Sequence, residues 1–138
     1  MTNNQDKQKK YNWESKIILI VEDDICNACY IKEILDKTKA ECKIAPNARM
    51  ALKYFYSTPK IDLILMDLQL PDISGIELTV KIKAINSEVP IIAQTAFEKE
   101  FAKAKCLEVG CNDYITKPIN KDSLLELIDS YFSDVHVK

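Results

Sequence analysis

The sequence is short of the groups that most often announce a function. Its 138 residues include one arginine, Arg49, and one histidine, His136, and the formal net charge is −2. Proteins that grip nucleic acid carry a basic, arginine-bearing footprint, so no DNA or RNA partner is expected. No apolar run approaches the roughly 20 residues of a membrane-spanning helix, and no membrane contact by this domain is expected either. Residues 1–16 are polar and lysine-bearing, without the apolar core of a secretory signal, so the expected location is cytoplasmic. The five cysteines (Cys26, Cys29, Cys42, Cys106 and Cys111) are odd in number, which argues against a disulfide framework. Structural zinc needs four ligands with a matching second pair. Cys26-x-x-Cys29 has no such pair: Cys106 and Cys111 are wrongly spaced, and His136 lies in the last three residues. A thioredoxin-like reading would need its own strand–helix context. The five thiols are expected to be small buried hydrophobes.

What is present is an alternation of short apolar runs and amphipathic stretches, with no internal repeat or low-complexity segment. The 47% hydrophobic and 29% charged fractions fit a globular domain, long enough to bury roughly two thirds of its unfolded surface. Residues 1–15 lack periodicity and read as a polar tail or interdomain linker, 16–134 as the folded domain and 135–138 as a C-terminal tail. Whether Trp13 packs back onto the domain is open at this level. Strands are expected at 16–21, 41–45, 61–67, 89–94 and 112–116, with Pro90 near the start of the fourth, where a missing N–H is tolerated.

Helices fill the gaps. The first carries Ile31, Ile34, Leu35 and Thr38 at i, i+3, i+4, i+7. Asn47 caps the second, with Ala48, Ala51, Leu52 and Phe55 inward. Ser74-Gly75-Ile76-Glu77 has the capping-box pattern and opens a third with Leu78, Ile82 and Ile85 inward. A weaker pattern at 98–109 is closed by Gly110 as the C′ residue. The last, from about Lys121, buries Leu124, Leu125, Ile128 and Phe132. Five strands alternating with five helices through short loops make an α/β fold, an open parallel sheet with helices on both faces.

Leu63-Ile64-Leu65-Met66-Asp67-Leu68-Gln69-Leu70-Pro71-Asp72 concentrates the chemistry. The run is too short for a helix and reads as a fully buried strand closed by Asp67. Open α/β sheets place their ligands at the carboxyl ends of strands, although an aspartate there can also simply start a turn. The other strand ends supply Glu22, Asp23 and Asp24 (first), Thr95 (fourth) and Lys117 (fifth). Taken singly, Thr95 is a helix cap, Lys117 a solvated lysine, and the acids partners of a helix N-terminus. On one rim they are a set: carboxylates that repel one another until a hard cation such as Mg²⁺ intervenes, a hydroxyl and an ammonium. Such a rim suits phosphoryl transfer, with Asp67 as nucleophile.

Several motifs resemble the receiver domain of two-component response regulators. They are Ile18-Leu19-Ile20-Val21-Glu22-Asp23-Asp24, Leu65-Met66-Asp67-Leu68-Gln69-Leu70-Pro71, Thr95-Ala96 and Tyr114-Ile115-Thr116-Lys117-Pro118, and together they span residues 16 to about 133. The resemblance implies a flavodoxin-like (βα)5 fold, doubly wound in three α/β/α layers, with strand order 2-1-3-4-5. It implies Asp67 as phosphoacceptor, and Mg²⁺ (or Mn²⁺) held by Asp23, Asp67 and the backbone carbonyl of Gln69, with Glu22 acting through a water. Asp24 is not expected to be a ligand. Lys117 would pair with a phosphoryl oxygen, its bond to Pro118 would be cis, and Thr95 and Tyr114 would form a switch.

The implied partners are a histidine kinase or histidine phosphotransfer protein, an output protein on the face made by the fourth helix, the fifth strand and the fifth helix, and in some members a second copy as a homodimer. Glu22-Asp23-Asp24-x-x-Asn27, Thr95-Ala96-Phe97 and 110–119 are most similar to the C-terminal receivers of hybrid sensor histidine kinases. The expected context is therefore the cytosolic part of such a kinase, itself membrane-bound in some cases, with a free-standing single-domain regulator as the alternative. Since His136 is the only histidine, the phosphoryl donor is expected elsewhere: another protein, another part of a longer polypeptide, or a small phosphodonor. A Mg²⁺-dependent phosphatase with an aspartate nucleophile is the less favoured enzyme reading, because Gln69 stands where it wants a second acid. Gln94 departs from the commoner aliphatic residue.

Overall fold

The computed structural model describes residues 11–58, 60–96 and 100–133, the side chains of 100–102 excepted. His136, Phe97, the expected C-terminal tail and the expected helical residues 98–99 lie outside the described residues. Ten elements alternate: β1 (Ile17–Val21), α1 (Ile25–Asp36), β2 (Glu41–Ala45), α2 (Ala48–Ser57), β3 (Leu63–Asp67), α3 (Gly75–Ile85), β4 (Ile91–Thr95), α4 (Glu100–Glu108), β5 (Asp113–Thr116) and α5 (Lys121–Phe132). The strands pair in parallel in the order β2-β1-β3-β4-β5. This is the doubly wound (βα)5 arrangement that the motifs imply.

Covering both faces of a parallel sheet makes its central strands apolar throughout, and Ile18–Val21 and Leu63–Met66 are fully buried. Alternate side chains leave by opposite faces. Ile18, Ile20, Leu63 and Leu65 join Ile31 and Leu35 of α1 and Leu124 and Ile128 of α5. Leu19, Val21, Ile64 and Met66 join Ala48 and Ala51 of α2 and Leu78 and Ile82 of α3. The helix caps follow the sequence: Asn47 Oδ1 accepts from Met50 N, and Ser74 Oγ from Glu77 N. Gly110, at φ 119°, closes α4, with Gly110 N donating to Leu107 O and Cys111 N to Cys106 O, the Schellman pattern.

Three expectations change. Ile85 is 45% exposed rather than inward, because it is the last residue of α3 and no further turn covers it. Of the cysteines, Cys106 and Cys111 are buried and Cys42 is half-buried, but Cys26 and Cys29 are exposed. Ala28, Ile31 and Leu35 take the inward stripe of α1, which turns positions 26 and 29 outward. Trp13 settles the question left open above. It is 5% exposed, its backbone N–H donates to Thr38 O at 2.7 Å, and its ring meets Phe132 edge-on at 5.2 Å and Tyr11 at 5.3 Å. The packed body therefore reaches back at least to Tyr11.

Candidate functional site

The strand order lays the end of β1 against the end of β3, with Val21 beside Met66. The next residue on each strand is an acid, Glu22 and Asp67, and both are buried, at 1% and 4% exposure. Beyond Asp67 the chain turns sharply, and its carboxylate accepts the Gln69 N–H at Oδ1, 3.0 Å. The start of α3 then crosses directly over this turn. Gly75 N donates to Leu68 O, and a Cβ at Gly75 would collide with the Asp67 carbonyl oxygen and the Leu68 Cα. Further along the loop, Asp72 accepts the N–H groups of Ala48 and Arg49 at the start of α2, both at 3.0 Å. Those bonds, Ala48 foremost, hold its carboxyl below the usual range.

Glu22 is gripped from three sides. It accepts from Asn27 Nδ2 at 2.7 Å and Asp24 N at 3.1 Å, and Lys117 Nζ stands 3.2 Å from its Oε1. The same ammonium lies 3.4 Å from Asp67 Oδ2. One carboxylate oxygen from each of Glu22, Asp23 and Asp67 falls in a group whose members lie within 4.8 Å of one another. The group opens into a cleft of about 470 Å³ whose lining includes Asp24, Gln69 and Lys117.

Like charges about 4 Å apart repel by roughly 4 kcal/mol at the effective dielectric of a protein surface. One ammonium among three carboxylates leaves an uncompensated excess of two negative charges. The strain is visible at Asp67, whose carboxyl is pushed up to about 6 by burial first and by the neighbouring Glu22, against the lowering by the Gln69 N–H and Lys117. Lys117 feels the counterpart: burial lowers its ammonium, but Asp67 and Glu22 outweigh that and raise it. A donor set of carboxylate oxygens, with no thiol or imidazole in the cluster, fits a hard divalent cation.

The remaining expected residues divide. Asp24 does other work, capping α1 by accepting from Cys26 N and Asn27 N. Thr95 is 4% exposed and ends β4, one residue beyond Gln94, which pairs with Asp67. Tyr114 pairs with Ala93 and Thr116 with Thr95, so Tyr114 shares a sheet face with Thr95, and Lys103 Nζ sits 4.6 Å from its ring centroid. The Lys117–Pro118 bond is cis. Gly75 and Asp72 escaped the sequence reading, because a close backbone approach and a bond across 24 residues leave no local pattern. Asn27 and Gln94 meet at 3.3 Å from 67 residues apart; the only sign was a polar residue inside an apolar strand.

A doubly wound α/β domain with an acid cluster where β1 and β3 end side by side is the architecture of CheY-like receivers. The family model for the response regulator receiver domain matches residues 18–129, and the chain belongs to that family, as a receiver domain of two-component systems. Over 121 residues it is 38% identical to hybrid signal transduction histidine kinase I of Dictyostelium discoideum, covering 82% of this chain and 7% of that protein. It is 35% identical to the polar-differentiation response regulator DivK of Brucella anthropi, covering 86% of this chain and 98% of the relative. Among solved structures, a two-component response regulator from Clostridium difficile superposes with a TM-score of 0.83 at 27% identity, covering 87% of this chain and 98% of the other. The receiver domain of Ssk1, crystallised with the phosphotransfer protein Ypd1 of Saccharomyces cerevisiae, gives a TM-score of 0.79 at 33% identity, covering 90% and 91%.

Proposed function

We propose that the domain accepts a phosphoryl group on Asp67 from a phosphohistidine of a kinase or phosphotransfer protein, and relays the event to an output protein. The observation that carries this is the crowding of Glu22, Asp23 and Asp67 around a single lysine in an open cleft. That crowding is costly unless a cation and a phosphoryl group complete it. The Asp67 carboxylate attacks phosphorus as the donor's imidazole nitrogen leaves, and an acyl phosphate forms. Asp23, Asp67 and the Gln69 carbonyl would hold Mg²⁺ or Mn²⁺, with Glu22 reaching it through a water. When bound, the cation supplies neutralisation of the phosphoryl oxygens. Lys117 pairs with one phosphoryl oxygen as its hold on Asp67 is released, and the Thr95 hydroxyl bonds another while Tyr114 turns inward.

For docking of the donor, Ile25 at 74% exposure and Tyr30 at 44% offer an apolar rim on α1 beside the cleft. For output, α4 and α5 both reach β5: Lys103 lies over Tyr114, and Tyr131 Oη donates to Asp113 Oδ2 at 3.4 Å and to Asn112 O, just before the strand, at 3.1 Å. A charge change at Asp67 therefore has a route to the α4-β5-α5 face. Two contexts fit equally, a segment of a hybrid histidine kinase and a free-standing regulator, because relatives of both kinds match at similar identity. A cytoplasmic location accompanies either; among the described residues no helix is long and apolar enough to cross a membrane.

The test is incubation with acetyl phosphate. With Mg²⁺ the protein should gain one base-labile phosphoryl group, with EDTA none, and Asp67→Asn none. Unchanged labelling of Asp67→Asn sinks the assignment.

A further inference from the structure

Resting on the function just proposed, we infer that Gln94 is a positioning residue that, through Asn27, fixes the carboxylate of Glu22 for the cation. Gln94 is buried at 1% exposure in β4, paired with Asp67 of β3 on one side and Ile115 of β5 on the other. Its Oε1 accepts from Asn27 Nδ2 at 3.3 Å. The same Nδ2 donates to Glu22 Oε1 at 2.7 Å. An amide nitrogen carries two hydrogens, and Asn27 spends one on the carboxylate and one on Gln94. Both hydrogens of the amide nitrogen are thereby held, and the oxygen cannot swing round to face the carboxylate.

The arrangement dictates the orientation of Gln94. Because Asn27 must present nitrogen to Glu22, Gln94 must present oxygen to Asn27, so its own nitrogen points into the buried interior, where no protein acceptor meets it. Gln94 Nε2 is the only buried side-chain nitrogen or oxygen without a hydrogen-bond partner among the described residues. A buried donor left unmade costs stability, and an apolar residue of the same length would avoid that cost. What the amide oxygen serves is Asn27 and, beyond it, Glu22. Local rules broken at a functional site are the expected mark of such a residue. Partners that orient a metal-binding carboxylate affect affinity without touching the metal.

The experiment titrates Mg²⁺ alone, by calorimetry, into wild type, Gln94→Met, Asn27→Ala and the double variant, each also melted without metal. Gln94→Met should bind Mg²⁺ up to roughly tenfold more weakly, at the low end for residues behind a ligand, while melting at or above the wild-type temperature. Asn27→Ala should weaken binding at least as much, and adding Gln94→Met to it should change affinity no further. Affinity of Gln94→Met within about twofold of wild type overturns the inference, as do additive losses in the double variant. A Gln94→Met protein that melts below wild type also overturns it, because the amide would then be structural. Failure of the wild type itself to bind Mg²⁺ would instead remove the function proposed above.

Discussion

Asp67 carries two burdens at the scale of a single residue: a charge largely removed from water and a second carboxylate next to it. Its carboxyl is pushed from an ordinary 3.8 up to about 6. The folded state therefore holds this proton more tightly than the unfolded chain does. Between about pH 4 and about pH 6 the contribution of Asp67 to the stability of the metal-free protein should fall as pH rises, and the deficit should persist above that range. Asp67→Asn removes the charge but keeps the shape. Without metal it should melt higher than wild type at pH 7.5, with the gap closing as pH falls through about 6. Mg²⁺ should raise the wild-type melting temperature at pH 7.5 and leave Asp67→Asn nearly unmoved. Thermal melts across pH, with and without Mg²⁺, read all of this; a gap independent of pH contradicts the crowding of Asp67 and Glu22.

Elements matter through where their ends fall. The turn after β3 is shaped by α3, whose first residue, Gly75, lies too close to the Asp67 carbonyl to admit a Cβ. Helix propensity alone would make Gly75→Ala stabilising, by less than the ~1 kcal/mol of a helix interior because Gly75 is the first helical residue. The collision reverses the sign: the variant should lose roughly 1–3 kcal/mol in urea unfolding, in the range of overpacked cores, and phosphoryl uptake should fall with it. A stabilised Gly75→Ala would show that the turn is not pinned there. Nothing in the sequence revealed that clash, whereas the elements themselves were legible. β1, β3 and β4 read as strands because both faces are covered, and α2 and α3 begin at Asn47 and Ser74 because those side chains cap them. Asp67 was legible as the closing acid of an apolar run. Asp72 and the Asn27–Gln94 bridge were not, since each joins elements whose proximity only the fold creates. Cys26 and Cys29 were misjudged because burial in α1 is set by rotation about the helix axis, and a small residue type does not report which way it faces.

The whole molecule separates its anchor from its chemistry. Trp13 packs against Phe132, and its backbone bonds Thr38, where β1 and β2 begin, at the opposite end of the strands from the acid cluster. Trp13→Ala should cost about 3 kcal/mol of stability in chemical denaturation, as for large aromatic truncations in a core. Phosphoryl uptake per folded molecule should be unchanged at low temperature; a parallel loss of uptake would mean that the two ends are coupled. What joins the parts is the sheet, which brings Glu22 and Asp23 from β1, Asp67 from β3 and Lys117 from β5 to one rim. We hold that this rim carries a phosphoryl group on Asp67. Borohydride reduction after treatment with Mg²⁺ and acetyl phosphate, followed by peptide mass mapping, tests it most directly. An acyl phosphate on Asp67 is reduced to homoserine, and that residue is predicted at position 67 alone. An unmodified position 67 in protein that has gained phosphate, or homoserine at Asp23 instead, would contradict the account.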